Sequence, residues 1–278
     1  MATDTSSRRP AARASSRPVQ RWFSHNLIRI YAVLGFAYLF VPVAYTFVYS
    51  FNDSGKSNLN WRGFTTEKWT NPCGAPDVCN ALVNSLKIGL IATLVSTVLG
   101  TMIAFALARH RFRGRSSTNL LIFLPMATPE VVLGASLLAL FLNAGVPLGF
   151  WTIVIAHIMF CISFVVVTVK ARLASLDPRL EQAAMDLYAD EWQTFRRITL
   201  PLVAPGIVAG ALLAFALSFD DFIITNFNSG AVNTFPKFVW VSSLRGIPAQ
   251  ANVIGSAMFF LALTAVLFGQ FVVRRRRV

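Results

Sequence analysis

The chain has 278 residues, 55% hydrophobic and 13% charged, with a mean hydropathy of +0.58. That balance excludes an ordinary soluble domain and points to a chain that crosses a membrane several times. The formal net charge of +13 would suit nucleic acid, but the basic residues sit in the segments between apolar runs, which favours membrane topology and excludes a nucleic-acid partner.

Residues 1–24 are rich in Ser, Ala and Arg and lack the pattern of a cleavable signal. They read as a disordered basic N-terminus running to residue 26, followed by a membrane domain over 27–273 and a basic tail over 274–278. Six apolar stretches, 30–50, 86–108, 120–142, 150–169, 202–224 and 253–273, are each long enough to span the hydrocarbon core. The first carries Tyr31, Tyr38, Tyr45 and Tyr49 on one helix face, a stripe for helix packing or for attracting a cation through its rings. The loop 52–80 holds Cys73 and Cys79, a possible disulfide in an oxidising compartment. Its Ser54-Gly55-Lys56-Ser57 imitates the end of a phosphate-binding loop, but Ser50 stands where the first glycine is required. Cys161 reads as an apolar filler and His157 as a neutral, hydrogen-bonded structural histidine. Gly206 and Gly210 permit close helix approach, within the chain or to another subunit. The sequence offers no catalytic arrangement and no metal cluster.

If six spans alternate, Arg8, Arg9, Arg13, Arg17 and Arg21 share one side with Arg109, Arg111, Arg113, Arg115, Lys170, Arg172, Arg179, Arg196, Arg197 and the terminal arginines. The other side holds Lys56, Arg62, Lys68, Lys237 and Arg245. The positive-inside bias therefore makes both termini cytoplasmic, with basic segments able to hold anionic lipid.

Three carboxylates lie within spans: Glu130 directly after Pro129, and the pair Asp220 and Asp221. Each costs roughly 2.5–3.5 kcal/mol at bilayer depth, so each must face the bundle interior, water or a counter-charge. Asp220 falls roughly 22 Å along its helix from Pro205, toward the outer side. No Lys or Arg matches them at membrane depth, apart from Lys87 near an outer end. They suit a route for a cationic solute; alternatively, they hydrogen-bond locally and set helix packing. Pro125 and Pro129 leave backbone carbonyls unpaired, which favours an irregular, cavity-lining stretch.

Between the fourth and fifth spans lies a polar, helix-compatible segment, 181–201 (EQAAMDLYADEWQTFRRITLP). Asp177-Pro178 is a helix start, and Leu180, Ala183, Ala184 and Leu187 share one face. Asp190 can cap a second short helix, with Gln193 three residues on, and Pro201 and Pro205 stop the run. The stripe serves either as a docking knob for a soluble partner or as packing against the chain's own bundle.

This segment resembles the EAA loop of ABC-importer permeases, whose pattern runs Glu-Ala-Ala, a glycine four residues on, then Ile-x-Leu-Pro. Here it reads Gln182-Ala183-Ala184, Tyr188, then Ile198-Thr199-Leu200-Pro201. Leu148-Gly149-Phe150-Trp151 and the runs 157–169 (HIMFCISFVVVTV) and 218–230 (SFDDFIITNFNSG) make the chain similar to the second permease of the spermidine/putrescine importer family. Two residues depart from the pattern. Gln182 replaces the glutamate, with Glu181 beside it. Tyr188 replaces the glycine, and positive φ would cost it about 1–2 kcal/mol.

The resemblance implies an all-α, six-span, type I importer (MetI-like) fold in the bacterial cytoplasmic membrane, carrying polyamines. Iron(III), thiamine or phosphonate are alternative solutes, and a non-transporting scaffold is the reading outside transport. It implies ATPase coupling through Glu181, Gln182, Ala183, Ala184, Leu187, Tyr188, Ile198, Leu200 and Pro201. The implied partners are a second permease, two ATP-binding subunits and an extracytoplasmic solute-binding protein. ATP and magnesium would be bound by the partner ATPases, so this chain would be non-catalytic and hold no cofactor.

Overall fold

The computed structural model describes residues 18–55 and 57–275. The expected disorder of residues 1–17 and the end of the basic tail, 276–278, lie outside the described residues. Among the described residues the chain is all helical, with one isolated bridge, Asn52 to Phe64. Helix α1 (Pro18–Tyr49) begins inside the stretch expected to be disordered. Then come α2 (Glu67–Thr70), α3 (Val78–Arg109), α4 (Arg115–Ala127), α5 (Glu130–Asn143), α6 (Phe150–Ala174), α7 (Arg179–Asp186), α8 (Glu191–Thr194), a π-helical turn (Phe195–Thr199), α9 (Leu200–Asp220), α10 (Ile223–Asn228), α11 (Phe235–Arg245) and α12 (Ala249–Arg275). Five helical stretches are long and apolar enough to cross a membrane, or six with α4 and α5 taken as one span.

The stretch expected as the third span is broken into α4 and α5. Pro129 crowds the residue before it, and Thr128 accordingly takes an extended ψ of 134°. The helix axis turns by 109° there, as the two prolines led one to expect of an irregular stretch. The fifth span departs from expectation at its C-terminal end. Phe222, Ile223 and Ile224 are apolar enough to extend it, yet α9 stops at Asp220, and Asp221 is extended at ψ 122°. The short α10 then begins at Ile223.

Helices α3, α6 and α9 form the centre, with α6 the most buried of the long helices. Their apolar core includes Ala104, Leu107, Phe160, Val165, Val169, Val203 and Ala214, and Leu133 and Phe141 of α5 join it. Gly206 lets α9 press against α6 of the same chain: a Cβ there would lie 2.6 Å from Cβ and Cγ of Arg172. Gly206→Ala should therefore force the two helices apart and cost about 1–3 kcal/mol, read as a lower melting temperature of the purified protein.

Among the described residues helix α1 is largely exposed and packs near its end against α12, where Phe47 meets Phe260 edge to face. Its tyrosine stripe divides. Tyr31 and Tyr38 are exposed, whereas the Tyr45 and Tyr49 rings stack 4.1 Å apart. Cys73 and Cys79 are joined in a disulfide, Cα atoms 5.3 Å apart, closing the turn into α3. Asp77 inside that turn has φ 62°, a conformation Asp tolerates better than most residues.

Candidate functional site

Two places carry the residues singled out by the sequence: a hairpin at the end of the bundle where Arg109 and Arg172 lie, and the region around the break between α9 and α10.

In the hairpin, Asp177 Oδ1 accepts the Arg179 N–H at 2.9 Å and opens α7. The helix closes with paired bonds, Tyr188 N–H to Met185 O and Ala189 N–H to Ala184 O, which satisfy two of its last carbonyls. That closure requires a left-handed residue, and Tyr188 takes the role at φ 63°. The tyrosine thus adopts the backbone form a glycine would supply. Asp190 Oδ1 then caps α8 through the Gln193 N–H at 2.6 Å.

Pro201 does not stop this run. It lies in the first turn of α9, and α8, the π turn and α9 form one helical stretch, Glu191–Asp220. A proline lacks an N–H and crowds the carbonyl four residues back, so the wider π turn falls where Pro201 needs it.

The apolar stripe divides as well. Ala184 is 6% exposed, packed against the chain itself, whereas Leu187 is 81% and Tyr188 98% exposed. Leu180, Gln182, Ala183, Met185 and Trp192 are also exposed. The expectation that Ala184 belongs to the outward face is therefore corrected: periodicity defines a face but not its neighbours. Ile198 and Leu200 are half-buried, and Pro201 is exposed.

Glu181 points inward. Its Oε1 pairs with Arg109 at the end of α3 and accepts the Thr199 hydroxyl at 2.8 Å. Trp192 stacks on Phe195, which meets Phe105 of α3 edge to face. A cavity of about 580 Å³ lies between these elements, lined by Met102, Phe105, Arg109, Glu181 and Phe195 among others.

At the α9–α10 break the two neighbouring aspartates diverge. Asp221 is buried: Oδ1 accepts the Ile224 N–H at 3.3 Å and Oδ2 the Thr225 N–H at 2.8 Å, capping α10. Nε2 of His157 lies 3.2 Å from Oδ2. The same ring reaches Ser218 Oγ at 2.7 Å through Nδ1 and Thr225 Oγ1 at 3.0 Å through Nε2. Of the two readings the sequence left open, Asp221 follows local hydrogen bonding that sets the helix break, held by His157 and the Ile224 and Thr225 N–H groups.

Asp220 is exposed and lines a cavity of about 650 Å³ with Phe219, Phe222, Phe235, Trp240 and Met258. Phe222 and Trp240 lie 5.1 Å apart, centre to centre. One carboxylate among aromatic faces, with no Lys or Arg on the wall, is an environment that attracts an ammonium group. Lys237 is turned elsewhere: its Nζ donates to Ser229 Oγ at 2.7 Å and to the carbonyls of Gly230 and Val232. Burial pulls its ammonium below the usual lysine range.

Glu130 is exposed in the first turn of α5, and among the described residues no basic group lies within ion-pair distance. The same half of the span is tied to the break, since Asn228 Nδ2 donates to Gly134 O at 3.3 Å. Thr152 of α6 donates to Asn228 O at 2.7 Å. The structure therefore ties the broken third span to the broken end of the fifth, although the sequence places them about 90 residues apart.

Comparison with known proteins decides the family. Residues 96–278 match the family model described as "Binding-protein-dependent transport system inner membrane component". The chain belongs to this family. The permease is 36% identical over 240 residues to the spermidine/putrescine transport system permease protein PotC of Escherichia coli (strain K12), covering 86% of this chain and 90% of that one. It is 38% identical to the putrescine transport system permease protein PotI of the same organism, covering 81% and 82%. In fold it resembles a chain from the crystal structure of a bacterial ABC transporter involved in import of the acidic polysaccharide alginate. There the TM-score is 0.65 at 16% identity, covering 95% of this permease and 99% of that chain. It is accordingly a multi-pass membrane subunit of an ABC importer, itself non-catalytic.

Sequence reading of the permease missed α11; it read His157 as a hydrogen-bonded structural histidine, which the structure bears out, but did not name its partners. The eleven residues of α11 are too few to read as a span. The partners of His157 lie 61 and 68 residues away, beyond any local pattern.

Proposed function

We propose that this permease moves polyamines inward across the bacterial cytoplasmic membrane. The names of its relatives support the solute class, and the observation that carries the reading to particular residues is the Asp220 cavity. A polyamine presents several ammonium groups at neutral pH. An aromatic wall with one carboxylate offers such a group cation–π and charge-assisted contacts without a competing fixed cation.

A second permease completes the pore, two ATP-binding subunits grip the exposed hairpin, and an extracytoplasmic protein delivers the solute. ATP and magnesium are held by the partner ATPases. Nucleotide acts by favouring one permease state through differential contact with the hairpin. The helical stretch from α8 into α9 supports that route, because it joins the gripped hairpin to the residue beside the cavity.

Uptake of labelled putrescine by the reconstituted complex tests the solute. Unlabelled spermidine and putrescine should both compete, and thiamine, iron(III) and phosphonates should not; competition by one of the latter alone would replace the polyamine reading. Both termini are cytoplasmic in this account. A cysteine at Arg113 should therefore react with an impermeant thiol reagent only after permeabilisation, and labelling of intact cells would invert the topology.

A further inference from the structure

We propose that His157 is a positioning residue of the pore: acting through Asp221, it fixes the break between α9 and α10 and so holds Asp220 at the wall of the outer cavity. The inference rests on reading that cavity as part of the solute path.

The imidazole is 1% exposed and spans the discontinuity. Ser218 lies in the last turn of α9, Thr225 in the first turn of α10, and Asp221 between them; the ring meets all three. With a proton on Nε2 the ring donates to the Asp221 carboxylate, and its Nδ1 can then accept the Ser218 hydroxyl. Asp221 in turn holds the Ile224 and Thr225 N–H groups, which a restarted helix otherwise leaves without partners.

The order of dependence follows. His157 comes from α6, the most buried of the long helices, and is therefore the fixed point. Asp221 is held by it, and α10 is held by Asp221. Without the imidazole, a buried carboxylate loses its partner and must either take up a proton or swing out, and both weaken the cap. The last turn of α9, where Asp220 sits beside Phe222 and Trp240, then loses its fixed end.

The test places a cysteine at Asp220 in the complete importer complex and follows its modification by a cationic methanethiosulfonate reagent. The permease's own thiols give little background, since Cys73 and Cys79 are bonded and Cys161 is buried, and the parent complex without the new cysteine supplies the blank for its partners. His157→Leu should change the modification rate tenfold or more. His157→Gln, which returns an N–H near the Nε2 position, should restore it to within twofold. His157→Asn, which reaches only toward Ser218, should not. Equal rates in the Leu variant and the parent overturn the proposal. If the Leu variant fails to assemble, the Gln and Asn variants still decide, because equal rates in those two overturn it as well. The readout involves no transported solute, so its failure is distinct from failure of the polyamine reading.

Discussion

Asp220→Asn is expected to lower polyamine uptake efficiency by about 10- to 100-fold, the equivalent of losing one charge-assisted contact of about 1.5–3 kcal/mol. The complex should still purify intact, because the Asp220 side chain is exposed at a cavity wall and makes no internal hydrogen bond among the described residues. Asp221→Asn should behave differently. It removes the partner of His157 and weakens the α10 cap, so it should reduce yield and melting temperature by the equivalent of about 1–3 kcal/mol. Two adjacent residues of one type then give opposite signatures, one in transport and one in stability. Kinetic and thermal measurements on the two single variants check this. Unchanged uptake with Asp220→Asn removes that carboxylate from the solute path.

Leu187→Asp should release the ATP-binding subunits. Leu187 is the most exposed leucine on the hairpin, and an apolar anchor at the centre of an interface is worth about 2 kcal/mol or more, roughly a 30-fold loss of retention. The membrane chain itself should melt within about 0.5 kcal/mol of the parent, as an exposed substitution does. Ala184→Asp is the contrasting variant. It buries a charge against the chain's own bundle and should destabilise the permease before any partner is considered. Co-purification of the ATPase with Leu187→Asp at the parental ratio would count against the docking face.

The sequence was legible where the signal is local. Apolar runs located the spans, Asp177 and Asp190 marked the two short helices, and Pro129 marked the kink. Tyr188 was read as a departure carrying a backbone cost, and the structure shows the backbone adopting the glycine-like form nonetheless, because the closure of α7 demands it.

Illegible features depend on distant neighbours. Apolar residues beyond Asp221 gave no hint that α9 ends there, since the stop is made by side-chain caps within a histidine network. Equal helical spacing put Ala184 with Leu180 and Leu187, but only packing against the bundle separates the buried alanine from the exposed leucines. Likewise the adjacency of Asp220 and Asp221 suggested a shared role, whereas the helix break sends one into a cavity and the other into the core.

A membrane chain driven from outside must be gripped by its motor. A single cysteine at Leu187, treated with a short bifunctional thiol reagent in the assembled importer, should cross-link to an ATP-binding subunit, and the yield should change when ATP and magnesium are added. A cysteine at Leu59, in the loop before α2, should give no such product. Absence of any Leu187 product with the ATPase, or a yield indifferent to nucleotide, would contradict the account.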